Sequence, residues 1–493
     1  MKKYLLVIAA ALVLGLLIFS AQSQSKVSFD RYFLDKTMRV DYYHVGDSKE
    51  EVVSLDRVYQ QGIWAGSLKN LVDPFMRGRY CAKVYDAASG QLLFSLAYDS
   101  LFGEYKTTDE ALKGVKRTFH ESVLIPYPKN KVTLAIEVRD RENKFQQIFA
   151  QEIDPASIYV VKEGLEPGVK VFELKKSGHP HEKVDVAFLA EGYREEEEAK
   201  LRKDLDRFMK VFFNQEPYRS LKDKFNVYGV FKPSADSGCD EPGYGQFKQT
   251  ALGCTFDSFG SERYLLTEDN RRVRDVVAHV PYDAVLIMVN HQRYGGGGIY
   301  NLYCTFTTDN QWYEYLMLHE FGHSFTGLAD EYYTSQVAYN EFYPRGIEPV
   351  EPNITALLDP KSLKWKSLVS PGVAVPTLWE KEEFDRMDNA YQKVRQEVNE
   401  KIARLKREGA PKEEIARLEE ESERLSLEQA RKVDEFLSKS KYAGKLGAFE
   451  GAGYSSTGLY RPAVDCIMFT KGKKPYCPVC EQAVRRMIEF YCR

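Results

Sequence analysis

Residues 319–323 read His319-Glu320-Phe321-Gly322-His323. Two imidazoles four positions apart meet at one point if the segment is helical, because positions i and i+4 stack on one helix face. The preceding Trp312-Tyr313-Glu314-Tyr315-Leu316-Met317-Leu318 is compatible with a helix. Neutral imidazole nitrogens suit Zn²⁺ at about 2.0–2.1 Å. Glu320 follows the first histidine and is placed to take a proton from a metal-bound water. A catalytic zinc also needs a third protein ligand and one open position. Gly327 is suited to ending the helix in a left-handed conformation, and Asp330 is then the natural third ligand. Beyond the turn an extended segment sends neighbouring side chains to opposite sides. Asp330 is therefore expected to face the metal, and Glu331 to support the site from outside. With 8 His in 493 residues, such a motif arises by chance in roughly one chain in a hundred, and the Gly-x-x-Asp sequel makes chance rarer still.

His319 to His323, followed by Gly327-Leu328-Ala329-Asp330-Glu331-Tyr332, resembles the immunoglobulin A peptidase family of secreted bacterial zinc endopeptidases, whose members are metzincin-like. Tyr294 to Gly298 and Tyr460-Arg461-Pro462-Ala463-Val464-Asp465-Cys466-Ile467-Met468 are similar to that family as well. The resemblance covers about residues 170–493. It implies a zincin domain, and Met468 as an apolar floor beneath the metal. The chain departs from the general metzincin pattern by one residue: Gly327 and Asp330 each stand one position later after His323 than that pattern puts them. A zinc peptidase needs a donor for its tetrahedral oxyanion, and Tyr332, Tyr333 and Tyr460 are all candidates.

The elements that position these residues are legible in the apolar pattern. Residues 1–25 have a basic start, an apolar run from Tyr4 to Phe19 and small residues after it, which predicts a cleaved signal peptide and a secreted or periplasmic bacterial protein. Residues 26–162 alternate in places, as at Leu92, Phe94, Leu96 and Tyr98, or Val132, Leu134, Ile136 and Val138. Period two predicts an N-terminal all-β sandwich. Residues 163–493 form the expected α/β zincin (metzincin-like) peptidase domain. Its buried strands are predicted at Val184 to Ala190, Phe225 to Phe231 and Ala284 to Val289. Four glycines, Gly295 to Gly298, precede Ile299 to Phe306. They suggest either an edge strand along which an extended peptide lies or a flexible loop before an ordinary strand. Residues 378–441 carry apolar positions three and four apart, interrupted at Gly409-Ala410-Pro411. This predicts a helical-hairpin insertion, either a partner-binding arm or a solvated insertion packed on its own seam.

Composition narrows the class. The chain has 69 Lys+Arg against 72 Asp+Glu, too balanced for a general nucleic-acid binder. After the leader no run approaches 18 apolar residues, so no membrane span is expected in the mature chain. Eight Cys in an exported chain permit disulfides. Cys239 and Cys254 could close the loop they bracket, and structural disulfides are expected among Cys466, Cys477, Cys480 and Cys492, with the connectivity left open. Cys477-Pro478-Val479-Cys480 also fits a redox pair or half of a metal site. The reading that results is a secreted zinc-dependent endopeptidase acting on extracellular proteins or peptides, with immunoglobulin A the substrate that the family's name suggests. Its rival is a surface or periplasmic binding protein that keeps a zincin fold, and an intact His319, Glu320 and His323 set argues against that.

Overall fold

The computed structural model describes residues 27–162, 164–334 and 342–492. The predicted signal peptide lies outside the described residues. The N-terminal part contains β1 (Phe33–Gly46), β2 (Glu51–Gln60), β3 (Tyr80–Asp86), β4 (Leu92–Tyr98), β5 (Arg117–Pro128), β6 (Val132–Arg139), β7 (Phe145–Ile153) and β8 (Val160–Val161). They form two four-stranded sheets, ordered β5-β1-β2-β8 and β4-β3-β6-β7. Val132, Leu134, Ile136 and Val138 all point into the shared core, as their period-two spacing requires. The Tyr42 and Tyr98 hydroxyls hydrogen bond across that core at 2.8 Å, joining β1 to β4.

The second part is built on β9 (Lys170–Lys175), β10 (Val184–Glu191), β11 (Phe225–Phe231), β12 (Ala284–Val289), β13 (Gly296–Ile299) and β14 (Tyr303–Thr307). Their order is β13-β14-β12-β10-β11-β9. The four central strands are parallel, and β9 and β13 run antiparallel at the edges. Along β10, Val186 and Phe188 face one core while Ala187 and Leu189 face another. Burial on both faces is why these strands read as continuous apolar runs.

On the first face lie α1 (Glu198–Asn214) and α3 (Tyr313–Thr326). Leu201, Leu205, Phe208 and Phe212 of α1 recur at helical spacing and are buried. Phe208 packs edge-on to Phe306 of β14, and Phe212 to Phe321 of α3. The second face is covered by α2 (Asn270–Val277) and by the N-terminal part, so that the two parts share one hydrophobic cluster. Arg39 of β1 pairs with Asp275 of α2 at 2.6 Å. Arg77 donates to the carbonyl of Thr326, the last residue of α3, at 2.6 Å. The N-terminal sheets therefore brace the end of the helix that carries the histidines.

Two long helices, α4 (Lys381–Arg407) and α5 (Lys412–Ser438), run antiparallel, with Gly409 in a left-handed conformation between them. Lys406 meets Glu419 near the tip and Asp388 meets Gln429 near the base. The expectation that this segment buries only its own seam is corrected. Phe384, Val433 and Leu437 are buried in the main peptidase-domain core, and Phe384 lies against Phe469. The pattern of apolar positions shows that a face is buried but not against what. Two further strands, β15 (Leu446–Ala452) and β16 (Ser455–Ala463), form a hairpin, and α6 (Pro478–Tyr491) closes the chain. Among the described residues no helix is long and apolar enough to cross a membrane.

Candidate metal centre

His319 and His323 lie one turn apart on α3, with their Nε2 atoms 3.1 Å apart. Each Nδ1 donates to a backbone carbonyl: His319 to Ile467 at 3.0 Å and His323 to Leu328 at 2.6 Å. A carbonyl only accepts, so both Nδ1 atoms carry the proton and both Nε2 lone pairs point into the site. The helix ends at Gly327, at φ 64° and ψ 41°, whose N–H bonds back to His323 O at 2.8 Å. The next N–H, of Leu328, reaches Gly322 O at 3.2 Å. This reversal returns the chain to the imidazoles.

Residues 330–332 then run extended between two supports. Gly453 and Tyr454 of the β15–β16 turn bond to the carbonyls of Asp330 and Tyr332, and the Glu331 N–H bonds to Met468 O. Alternation sends Asp330 to the histidines and Glu331 away from them. Asp330 Oδ1 lies 3.0 Å from His319 Nε2 and 3.2 Å from His323 Nε2. The same oxygen is buried and accepts no hydrogen bond, whereas Oδ2 accepts one from the Tyr454 hydroxyl at 2.5 Å. Three ligand atoms on a tetrahedral ion at about 2.0–2.1 Å sit about 3.3 Å apart. The observed spacing fits that geometry, and an orphaned carboxylate oxygen between two lone pairs calls for a cation.

The electrostatics say the same. Burial alone would lower the pKa of His323, but the Asp330 carboxylate outweighs it and pushes the imidazole up to about 9. Burial works against ionisation of Asp330, yet the two imidazoles hold it well below the usual carboxylate range. The cluster thus prefers a positive charge at its centre, supplied by a proton or by a metal. Glu320 stands beside it, with a carboxylate oxygen within 4.8 Å of the histidine ligand atoms. Burial pushes its carboxyl pKa up, against the pull of both histidines.

The glycine run has a packing role. A Cβ on Gly296 would come within 2.9 Å of Glu320 Oε1, and one on Gly298 within 2.8 Å of His323 Cβ. Without side chains β13 lies directly against α3. The expected edge strand is therefore displaced: β14 is interior, and β13 is the edge. At Gly296 that edge is already bonded to Arg263 O and Leu265 N. Met468 is fully buried against α3, with its sulfur 3.1 Å from the place a Gly322 Cβ would occupy.

A cleft of about 120 Å³ opens over these residues. Of the three tyrosines considered as oxyanion donors, only Tyr332 lines it. Its hydroxyl accepts from Arg263 Nη2 at 3.1 Å. Tyr333 is turned into the core and donates to Asp385, and Tyr460 lies on β16 away from the cleft. Sequence reading missed Arg263, Tyr264, Phe342 and Tyr454, which line the opening together with Tyr294 and with Asp99 and Glu104 of the N-terminal part. Nothing in their local sequence marks them, because they converge from separate loops. The cysteine expectation is corrected as well: all eight are unbridged thiols, and Cys492 lies apart with its sulfur near Lys224 O.

His319, Glu320 and His323 form a group able to hold a metal ion beneath a cleft, and the sequence comparisons give the class of protein. The family model for IgA Peptidase M64 matches residues 172–488, and the model for the Peptidase M64 N-terminus matches residues 28–150. The chain belongs to the M64 peptidase family. A search of curated proteins finds no match.

Proposed function

We propose that the chain is a secreted zinc-dependent endopeptidase that cuts extracellular proteins. His319, His323 and Asp330 would hold the metal. The observation that carries this reading is the orphaned Asp330 Oδ1, 3.0 and 3.2 Å from two outward-facing imidazole nitrogens, with Glu320 alongside. A bound Zn²⁺ supplies Lewis-acid polarisation of the scissile carbonyl and acidifies water at neutral pH. Glu320 takes the proton from the attacking water and delivers it to the leaving amine. Its desolvated carboxyl is suited to both transfers. Tyr332, held by Arg263, is the group placed to donate to the oxyanion. The aromatic walls at Tyr264, Tyr294 and Tyr454 receive the substrate's side chains. Immunoglobulin A, the protein in the family's description, is the first substrate to try.

The decisive variant is Glu320→Gln, which keeps the shape and removes the base. Zinc content is expected to stay at the wild-type level while hydrolysis of a quenched peptide library falls by roughly 10²–10⁴-fold. Wild-type turnover in a zinc-loaded Glu320→Gln protein would sink the mechanism. Export is checked by intact mass in the native host, where the mature chain is expected to start near Gln24.

A further inference from the structure

Behind the site, on the far side of the Asp330–Tyr332 segment, Glu331 meets Cys466, Cys477 and Cys480. One ligand atom from each lies within 4.8 Å of the other three, and all four residues are buried. We propose that these residues form a second, structural metal site that takes a zinc-like divalent cation.

The spacing is that of ligands rather than of a disulfide. Cys466 Sγ and Cys480 Sγ are 3.9 Å apart. Two thiolates on a tetrahedral zinc at about 2.3 Å stand about 3.8 Å apart, whereas a disulfide needs about 2.05 Å. Cys480 Sγ is 3.2 Å from Glu331 Oε1. The Cys477 N–H donates to Cys466 Sγ at 3.3 Å, a bond that supports a thiolate. Independently of the sulfurs, Glu331 is 0% exposed and its Oε2 has no hydrogen-bond partner. Its other oxygen accepts from Asn353 Nδ2 at 3.0 Å. A buried carboxylate oxygen without a donor is costly, and a cation among the sulfurs removes that cost. Three thiolates and a carboxylate leave a divalent ion with a net charge of −2. The fully buried Arg461, which is electrostatically linked to Glu331, offsets part of it.

Four protein ligands leave no open position, which is the mark of a structural rather than a catalytic zinc. The elements it would join give it a purpose. Glu331 follows Asp330 directly. Cys466 precedes Ile467, whose carbonyl orients His319, and Met468, whose carbonyl binds the Glu331 N–H. Cys477 and Cys480 begin α6. One ion would clamp the third-ligand loop, the Met468 turn and the last helix together.

The test uses the full-length chain purified without chelator. Zinc is expected at two equivalents per chain, and at one in the His319→Ala/His323→Ala variant. Cobalt-loaded wild type is expected to show thiolate-to-cobalt charge-transfer absorption, which a site of two His and one Asp cannot produce. That spectrum decides the point without a cysteine substitution. Its absence at full cobalt loading, or recovery of Cys466, Cys477 or Cys480 in a disulfide after alkylation and mass analysis, would overturn the inference. If the wild type instead holds a single zinc, its retention in the double-histidine variant would support this site and sink the proposed catalytic one, and its loss there would do the reverse.

Discussion

Gly298→Ala tests whether the glycine run exists to let β13 touch the histidine helix. The new Cβ would stand 2.8 Å from His323 Cβ and would overlap the Glu320 carbonyl oxygen. Ordinary carbon–carbon contact is about 3.5–4.0 Å, so the overlap is roughly 1 Å. Neither partner can swing away: one is helix backbone and the other a β-carbon. On its other side β13 is held by β14, and at Gly296 by Arg263 and Leu265. The strand and helix must therefore separate, at an overpacking cost of about 1–3 kcal/mol. Melting should drop by roughly 1–4 °C for a unit of several hundred residues, and His323 should leave its position opposite Asp330. Gly62→Ala is the control, since a Cβ there meets nothing within 4 Å, and it should change stability by about 0.5 kcal/mol or less. Thermal melts, chelator competition for zinc and peptide hydrolysis are measured on both variants. If Gly298→Ala matches Gly62→Ala in all three, the close-approach argument is wrong.

Other outcomes follow from the same geometry. Tyr454→Phe removes the hydroxyl that fixes Asp330 Oδ2 and should weaken zinc binding about 10–100-fold; unchanged affinity in chelator competition would show that Asp330 is held by other means. Replacing residues 381–438 by a short linker takes Phe384, Val433 and Leu437 out of the core. At about 1.5–3 kcal/mol each this approaches a whole domain's stability, so a cooperative melt at the wild-type temperature would place the helices outside the core. In the N-terminal part, burial opposes ionisation of Glu51, but His44 and Lys106 outweigh it and hold its pKa at about 2. A depressed carboxyl stabilises the fold above its unfolded value near 4.5 and loses that contribution as pH falls towards 2. The melting difference between wild type and Glu51→Gln should therefore be largest between about pH 5 and 6.5, shrink below that as Glu51 is protonated, and shrink above it as His44, whose pKa Glu51 helps to raise, loses its proton; a difference that does not narrow in acid refutes the assignment.

Much of the peptidase part was legible in sequence because it rests on short-range periodicity. Four-residue spacing put His319 and His323 on one helix face, Gly327 marked the reversal, and alternation separated Asp330 from Glu331. The strands Val184–Glu191, Phe225–Phe231 and Ala284–Val289 were readable because burial on both faces leaves an unbroken apolar run. What stayed hidden depends on contacts between distant segments. Gly295 to Gly298 looked like a ligand-facing edge or a loop, since nothing local tells that α3 will press against them. Phe384 and Leu437 looked like a private seam, because an apolar stripe does not name its partner. Arg263 and Tyr454 reach the cleft from loops about 190 residues apart, and Asp99 and Glu104 from another part of the chain. The cysteines make the point most sharply. Their count and spacing favoured disulfides, with a redox pair or half a metal site as the alternatives. Only the tertiary fold brings Cys466 beside Cys477 and Cys480 and turns Glu331, which alternates with Asp330 along their segment, towards them from behind Asp330.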